Sequence, residues 1–181
     1  MRDVDKIIKI KEGIKLCHQL QIVRENIDEN PIDCIPLICM NELLLIQYLY
    51  DFSFDGYKII RMDDITSVRY SDIEEFGEFI LKEEGLMKKV KKPDIKNISN
   101  WEAFLKEYKE LNKTIIIECE ALTEQNFCIG KIVDVNNDSI ELLCFDSVGE
   151  WEQYTRKIIF EDITSVSFND RYSLTISKYV K

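Results

Sequence analysis

Asp64-Ile65-Thr66-Ser67-Val68 returns as Asp162-Ile163-Thr164-Ser165-Val166, 98 positions further along a chain of 181 residues. Each copy follows a basic and apolar run, Lys58-Ile59-Ile60-Arg61-Met62 in the first and Arg156-Lys157-Ile158-Ile159-Phe160 in the second. Each is preceded by an acid, Asp63 or Glu161, and runs on to an aromatic, Tyr70 or Phe168. Upstream, Asn41-Glu42-Leu43-Leu44-Leu45-Ile46 answers Asn137-Asp138-Ser139-Ile140-Glu141-Leu142. The upstream match is offset by 96, so the second copy has two extra residues in the following turn; such a recurrence is the mark of a duplicated supersecondary unit, and the unit here is β-rich.

In the second copy Ile115, Ile117, Cys119 and Ala121 alternate with Ile116, Glu118, Glu120 and Leu122, the period of a strand. Residues 127–135 are the next expected strand, with Gly130 marking a bend, and Asn136-Asn137-Asp138 supplies a polar turn. Residues 139–146, 156–160 and 165–168 follow as strands, and 174–180 offers a sixth. The first copy is expected to open with a strand over 14–23 and a turn at Asn30-Pro31. Strands over 35–40, 43–50, 57–62 and 67–70 complete it. Pro36 argues against a central strand position, because proline cannot donate to a ladder. Asp64 and Asp162 are expected to accept backbone N–H bonds in the turn before the last strand.

Between the copies the period becomes helical. Ser71-Asp72-Ile73-Glu74 has capping-box spacing, and Ile73, Phe76, Ile80, Met87 and Val90 predict one packed face. Lys92-Pro93-Asp94 interrupts it. A second helix opens at Ser99-Asn100-Trp101-Glu102, with Trp101, Phe104, Leu105, Tyr108 and Leu111 on one stripe.

Five short strands with a bend at the second and a short turn before the fifth resemble a small SH3-type barrel. Within that group, Gly130-Lys131-Ile132-Val133-Asp134-Val135-Asn136-Asn137-Asp138-Ser139-Ile140-Glu141-Leu142 is similar to the second-to-third-strand segment of Sm-like proteins. The fold expectation is therefore mainly β with α, two duplicated SH3-like or Sm-like barrels joined by a helical linker. The corresponding boundaries are 1–70, 71–111 and 112–181. The resemblance implies nucleic-acid binding, but Ile140 and Glu141 occupy the place of the family's base-contacting Asn, and no Arg-Gly or Lys-Gly pair precedes either fifth strand.

Twenty-four Lys and Arg stand against 34 Asp and Glu, a net charge of −10. The excess of acid is spread along the chain, with 9 positive and 12 negative residues in 1–70, 8 and 10 in 71–111, and 7 and 12 in 112–181. Phosphate neutralisation requires clustered cations, and Lys88, Lys89, Lys91, Lys92 and Lys96 form the one cluster. No apolar run approaches the ~20 residues of a membrane span, and the first ten residues lack a signal-peptide core. A cytoplasmic protein without a membrane segment is expected. Its six cysteines, Cys17, Cys34, Cys39, Cys119, Cys128 and Cys144, lack the paired spacing of a zinc site and read as buried thiols.

His18 is the single histidine, and strand alternation sets it opposite Cys17, which disfavours a Cys–His nucleophile pair. No phosphate loop, nucleophile elbow or histidine metal motif occurs. No catalytic residue, metal or cofactor is assigned. The remaining signal is aromatic: Tyr48, Tyr50, Phe52, Phe54 and Tyr57 beside Asp51 and Asp55, matched by Asp146, Trp151 and Tyr154 in the second copy. Aromatic side chains among acids suit a basic or proline-rich protein partner. The expected function is a non-enzymatic protein-interaction module, of an immunity or adaptor type. A tandem Sm-like nucleic-acid binder is the alternative, and a small hydrolase using acidic residues ranks last.

Overall fold

Ile7, Ile10 and Ile14 recur at helical spacing, and the first segment folds as α1 (Arg2–Leu16). Ile10 is fully buried, and Ile14 packs on the same apolar cluster. Cys17 ends the helix in left-handed backbone (φ 60°), and the His18 N–H donates to the Gly13 carbonyl at 3.0 Å. The strand expected over 14–23 is thereby cut short, and β1 spans only Leu20–Arg24. The computed structural model describes residues 2–122 and 127–181, and the chain divides into two units, Met1–Asp94 and Ile95–Lys181.

In the first unit β1 is followed by β2 (Asp28–Met40), β3 (Leu43–Tyr50), β4 (Ser53–Arg61) and β5 (Ser67–Arg69). They pair antiparallel in the order β5-β1-β2-β3-β4, and α2 (Asp72–Glu83) follows. The first turn lies over 25–27, closed by the Ile27 N–H on the Arg24 carbonyl at 2.7 Å, and not at Asn30-Pro31. Pro36 occupies a strand flanked on both sides. The β1 ladder ends at Leu20↔Cys34, before it reaches the proline, and a bulge follows between Pro36 and Ile38.

In the second unit α3 (Trp101–Glu110) precedes β6 (Ile115–Glu118), β7 (Phe127–Val135), β8 (Ser139–Cys144), β9 (Arg156–Ile159) and β10 (Ser165–Phe168). The order is β10-β6-β7-β8-β9. The expected sixth strand is instead α4 (Arg171–Ile176), started by Asp170, whose carboxylate accepts the Ser173 N–H at 2.7 Å.

Neither row closes. Among the described residues β5 pairs with β1 and not with β4, and β10 pairs with β6 and not with β9. Open antiparallel sheet therefore replaces the two closed SH3-like or Sm-like barrels. Closure requires strands long enough to tilt and stagger around an axis, and β5 and β10 have only three and four residues. Residues 71–111 hold α2 and α3. The α3 residues Phe104 and Tyr108 are buried in the second unit, with ring centroids 5.7 and 5.2 Å from that of Phe168. No helix among the described residues is long and apolar enough to cross a membrane.

The repeated pentapeptide performs the same task in both units. The Thr66 N–H donates to the Val23 carbonyl at 2.9 Å, its Oγ1 donates to the same carbonyl, and the Glu25 N–H donates to Oγ1. Thr164 repeats all three bonds with Glu118 and Glu120. Ile65 and Ile163 are both buried beside it. Threonine thus carries the clamp expected of the aspartates, while Asp64 is engaged by Arg61 Nε at 2.7 Å and Nη2 at 3.0 Å.

Candidate functional site

Helix α2 buries Leu81 but turns Ile73, Phe76 and Phe79 toward solvent. Ser71 caps it, with Glu74 Oε2 accepting the Ser71 N–H and Oγ–H, both at 2.8 Å. Arg69 Nε and Nη2 donate to Glu74 Oε1 at 2.9 and 2.7 Å. Burial alone would raise the Glu74 carboxyl, but the bonds from Arg69 and Ser71 outweigh it and hold it below the usual carboxylate value. One turn later Glu78 Oε1 receives His18 Nδ1 and the Gln19 N–H, each at 2.9 Å. Between them Gly77 is pressed so close to Gln19 that an added Cβ would lie 2.5 Å from its Oε1. These partners draw Glu74, Gly77, Glu78 and Leu81 inward.

Of the expected packed face of α2, Ile73 and Phe76 are consequently outside, while Ile80 is half-buried. Ile73, Phe76 and Phe79 are 65%, 64% and 55% exposed, and the two phenylalanine rings stack at 6.3 Å. Opposite, the β3–β4 hairpin turns through Asp51 (φ 44°) and Phe52 (φ 58°), both in the left-handed region that favours glycine. Holding a bulky Phe there costs on the order of 1 kcal/mol. Phe52, Ile73 and Phe76 border a cleft of about 260 Å³. Leu49 and Leu81 line it as well, together with Asp33 and Asp51. Arg69, also on its wall, is committed to Glu74.

The sequence-derived site residues separate into distinct environments. Phe52 lines the cleft, and Tyr50 beside it is 55% exposed. Tyr48 packs partly against the apolar cluster of the first unit, with Lys58 Nζ 5.9 Å from its ring centroid. Phe54 is half-buried opposite Leu49, and Tyr57 is buried, which pushes its hydroxyl pKa up. In the second unit Trp151 meets Phe145 edge-on at 5.3 Å, and Asp146 accepts the Val148 and Glu150 N–H groups of its own turn. Tyr154 is exposed. Ile73 and Phe76 are legible in the sequence only as part of a packing stripe, and Phe79 lies outside that stripe; the mid-helix Gly77 and the capping role of Glu74 are the sequence signals for the opposite orientation.

Other candidate chemistry is engaged structurally. The His18 ring lies 4.3 Å from that of Tyr70 and is bonded to Glu78, while burial, followed by Glu78, pushes the Cys17 thiol up. Among the described residues no group of three or more His, Cys, Asp or Glu is placed to hold a metal ion. Lys88, Lys89, Lys91 and Lys92 are exposed around and after a 3₁₀ turn over Leu86–Lys89. Compared with models of known families, with curated proteins and with solved structures, the chain matches none.

Proposed function

We propose that the chain is a non-enzymatic interaction protein whose first unit docks a partner protein in the cleft between α2 and the β3–β4 hairpin. The observation that carries this reading is the inverted α2: two carboxylates are buried while Ile73, Phe76 and Phe79 face solvent. Burying each such side chain is worth about 1.5–3 kcal/mol, a gain the isolated unit forgoes and a bound partner recovers. A contiguous apolar patch with a polar border is the form of a protein-interaction surface. The cleft offers Asp33 and Asp51 without a free cation, so the fitting segment presents an apolar side chain flanked by Lys or Arg.

Affinity capture from the source cells, followed by titration of the purified partner, tests the proposal. Phe76→Ser and Phe52→Ser should each weaken binding by about tenfold or more, as central aromatic contacts do. Binding that survives both substitutions unchanged would overturn the assignment of the cleft.

A further inference from the structure

Cys128 and Cys144 share one face of β7 and β8: Cys144 stands opposite Gly130, and Cys128 lies two residues along from that glycine. The Cys144 thiol donates to the Leu142 carbonyl at 3.8 Å. Arg156 on β9 brings Nη1 to 3.9 Å from Cys128 Sγ. Glu152 orients that guanidinium, accepting from Nε at 2.8 Å and from Nη2. Both cysteines line a cleft of about 170 Å³, whose other titratable or charged groups are Asp146, Arg156 and Tyr172. The cleft has room for part of a small molecule at the otherwise buried pair.

We propose that Cys128 and Cys144 form a thiol–disulfide exchange site for a small-molecule disulfide, with Cys128 attacking and Cys144 resolving. The Cys128 thiolate attacks one sulfur of the disulfide; a mixed S–S bond forms, the original S–S bond breaks, and the departing thiolate takes a proton from water. Cys144 then releases its proton to water and attacks Cys128 Sγ, forming the Cys128–Cys144 bond and expelling the second thiolate, which is protonated in turn. The protein loses two electrons and two protons, and the small disulfide is reduced to two thiols.

The other thiols in reach of solvent are differently placed. Burial pushes Cys17 and Cys39 up, as it does the fully enclosed Cys34. Cys128 is instead drawn down to about 7, first by the Cys144 thiol and, against the effect of burial, also by Arg156. Glu152 opposes this shift and Arg156 reinforces it, so attack should strengthen as pH rises through neutrality.

The test is incubation of the reduced full chain with oxidised glutathione at pH 7, followed by intact-mass and peptide analysis. Wild type should become lighter by two hydrogens, with the bond mapped to Cys128–Cys144. Cys144→Ser should stop at one glutathione on Cys128, and Cys128→Ser should give neither product. Arg156→Gln should slow the Cys128 adduct by about threefold, because thiolate fraction falls faster than nucleophilicity rises as a thiol pKa climbs. Thermal melting checks that each variant is folded, with Cys→Ala versions used where serine unfolds the chain. Modification of Cys17 or Cys39 as fast as Cys128, or a Cys128 adduct in wild type that Cys144 never displaces, would overturn the proposal.

Discussion

Thr66 and Thr164 show how a single side chain can place a strand. Each hydroxyl donates to a first-strand carbonyl and accepts a neighbouring N–H, replacing a length of ladder that the short last strand does not supply. Thr164→Val keeps the shape and strands the Glu120 N–H, so it should destabilise by about 1–3 kcal/mol in chemical denaturation. Ile163→Ala, at a fully buried position, should cost about 2–5 kcal/mol. Glycines separate just as clearly. A Cβ on Gly130 would meet the Leu143 carbonyl oxygen at 2.0 Å, a backbone atom that cannot step aside. Gly130→Ala should therefore destabilise by about 3 kcal/mol or more. At Gly77 the obstacle is the movable end of Gln19, and the helix gains about 1 kcal/mol from alanine. Gly77→Ala should leave the melting temperature close to wild type. The repeat that located Thr66 and Thr164 was visible in sequence; the choice of threonine over aspartate for the clamp was not, because the Thr66 partners Val23 and Glu25 lie 43 and 41 residues away.

At the scale of an element, α2 is the instructive case. Its start was legible from Ser71 and Glu74, whose capping contacts are local in sequence. Its orientation was not, since the groups that pull Glu78 inward come from His18 and Gln19, 60 and 59 residues away. Periodicity weighs apolar residues and is blind to such distant hydrogen-bond partners. The same blindness made α4 look like a strand, since Leu174 and Ile176 alternate acceptably while Asp170 and Ser173 close a helix cap. Glu74 also gives α2 a signed pH dependence. Its folded pKa lies below the ordinary value of 4.5, so its contribution to stability is complete above that value and vanishes as pH falls through the lowered one. Denaturant midpoints should drop on acidification below about pH 4.5, and Glu74→Gln should flatten that part of the profile while lowering stability at neutral pH. A variant that retains the full wild-type acid dependence would contradict the role of Glu74.

For the whole molecule, charge and exposed aromatic surface point the same way. Each unit carries an excess of acid, 14 basic against 19 acidic residues in 1–94 and 10 against 15 in 95–181. Generic single- or double-stranded nucleic acid should therefore not bind measurably at physiological ionic strength, as read by fluorescence anisotropy. Salt-sensitive micromolar binding that is lost when Lys88, Lys89, Lys91 and Lys92 become Ala would reverse that expectation. Composition made the acidic character plain, and Tyr50 and Phe52 were recognisable at their hairpin; the cleft itself depends on which face α2 presents. Docking at that face is tested most directly by placing a photo-crosslinking amino acid at Phe76 and, as a control, at the exposed Val148 of the second unit, in living cells. The account predicts a covalent adduct from position 76, absent from position 148, whose sequenced partner peptide carries an apolar residue flanked by Lys or Arg. Adducts only with a second copy of this chain, or equal adducts from both positions, would contradict it.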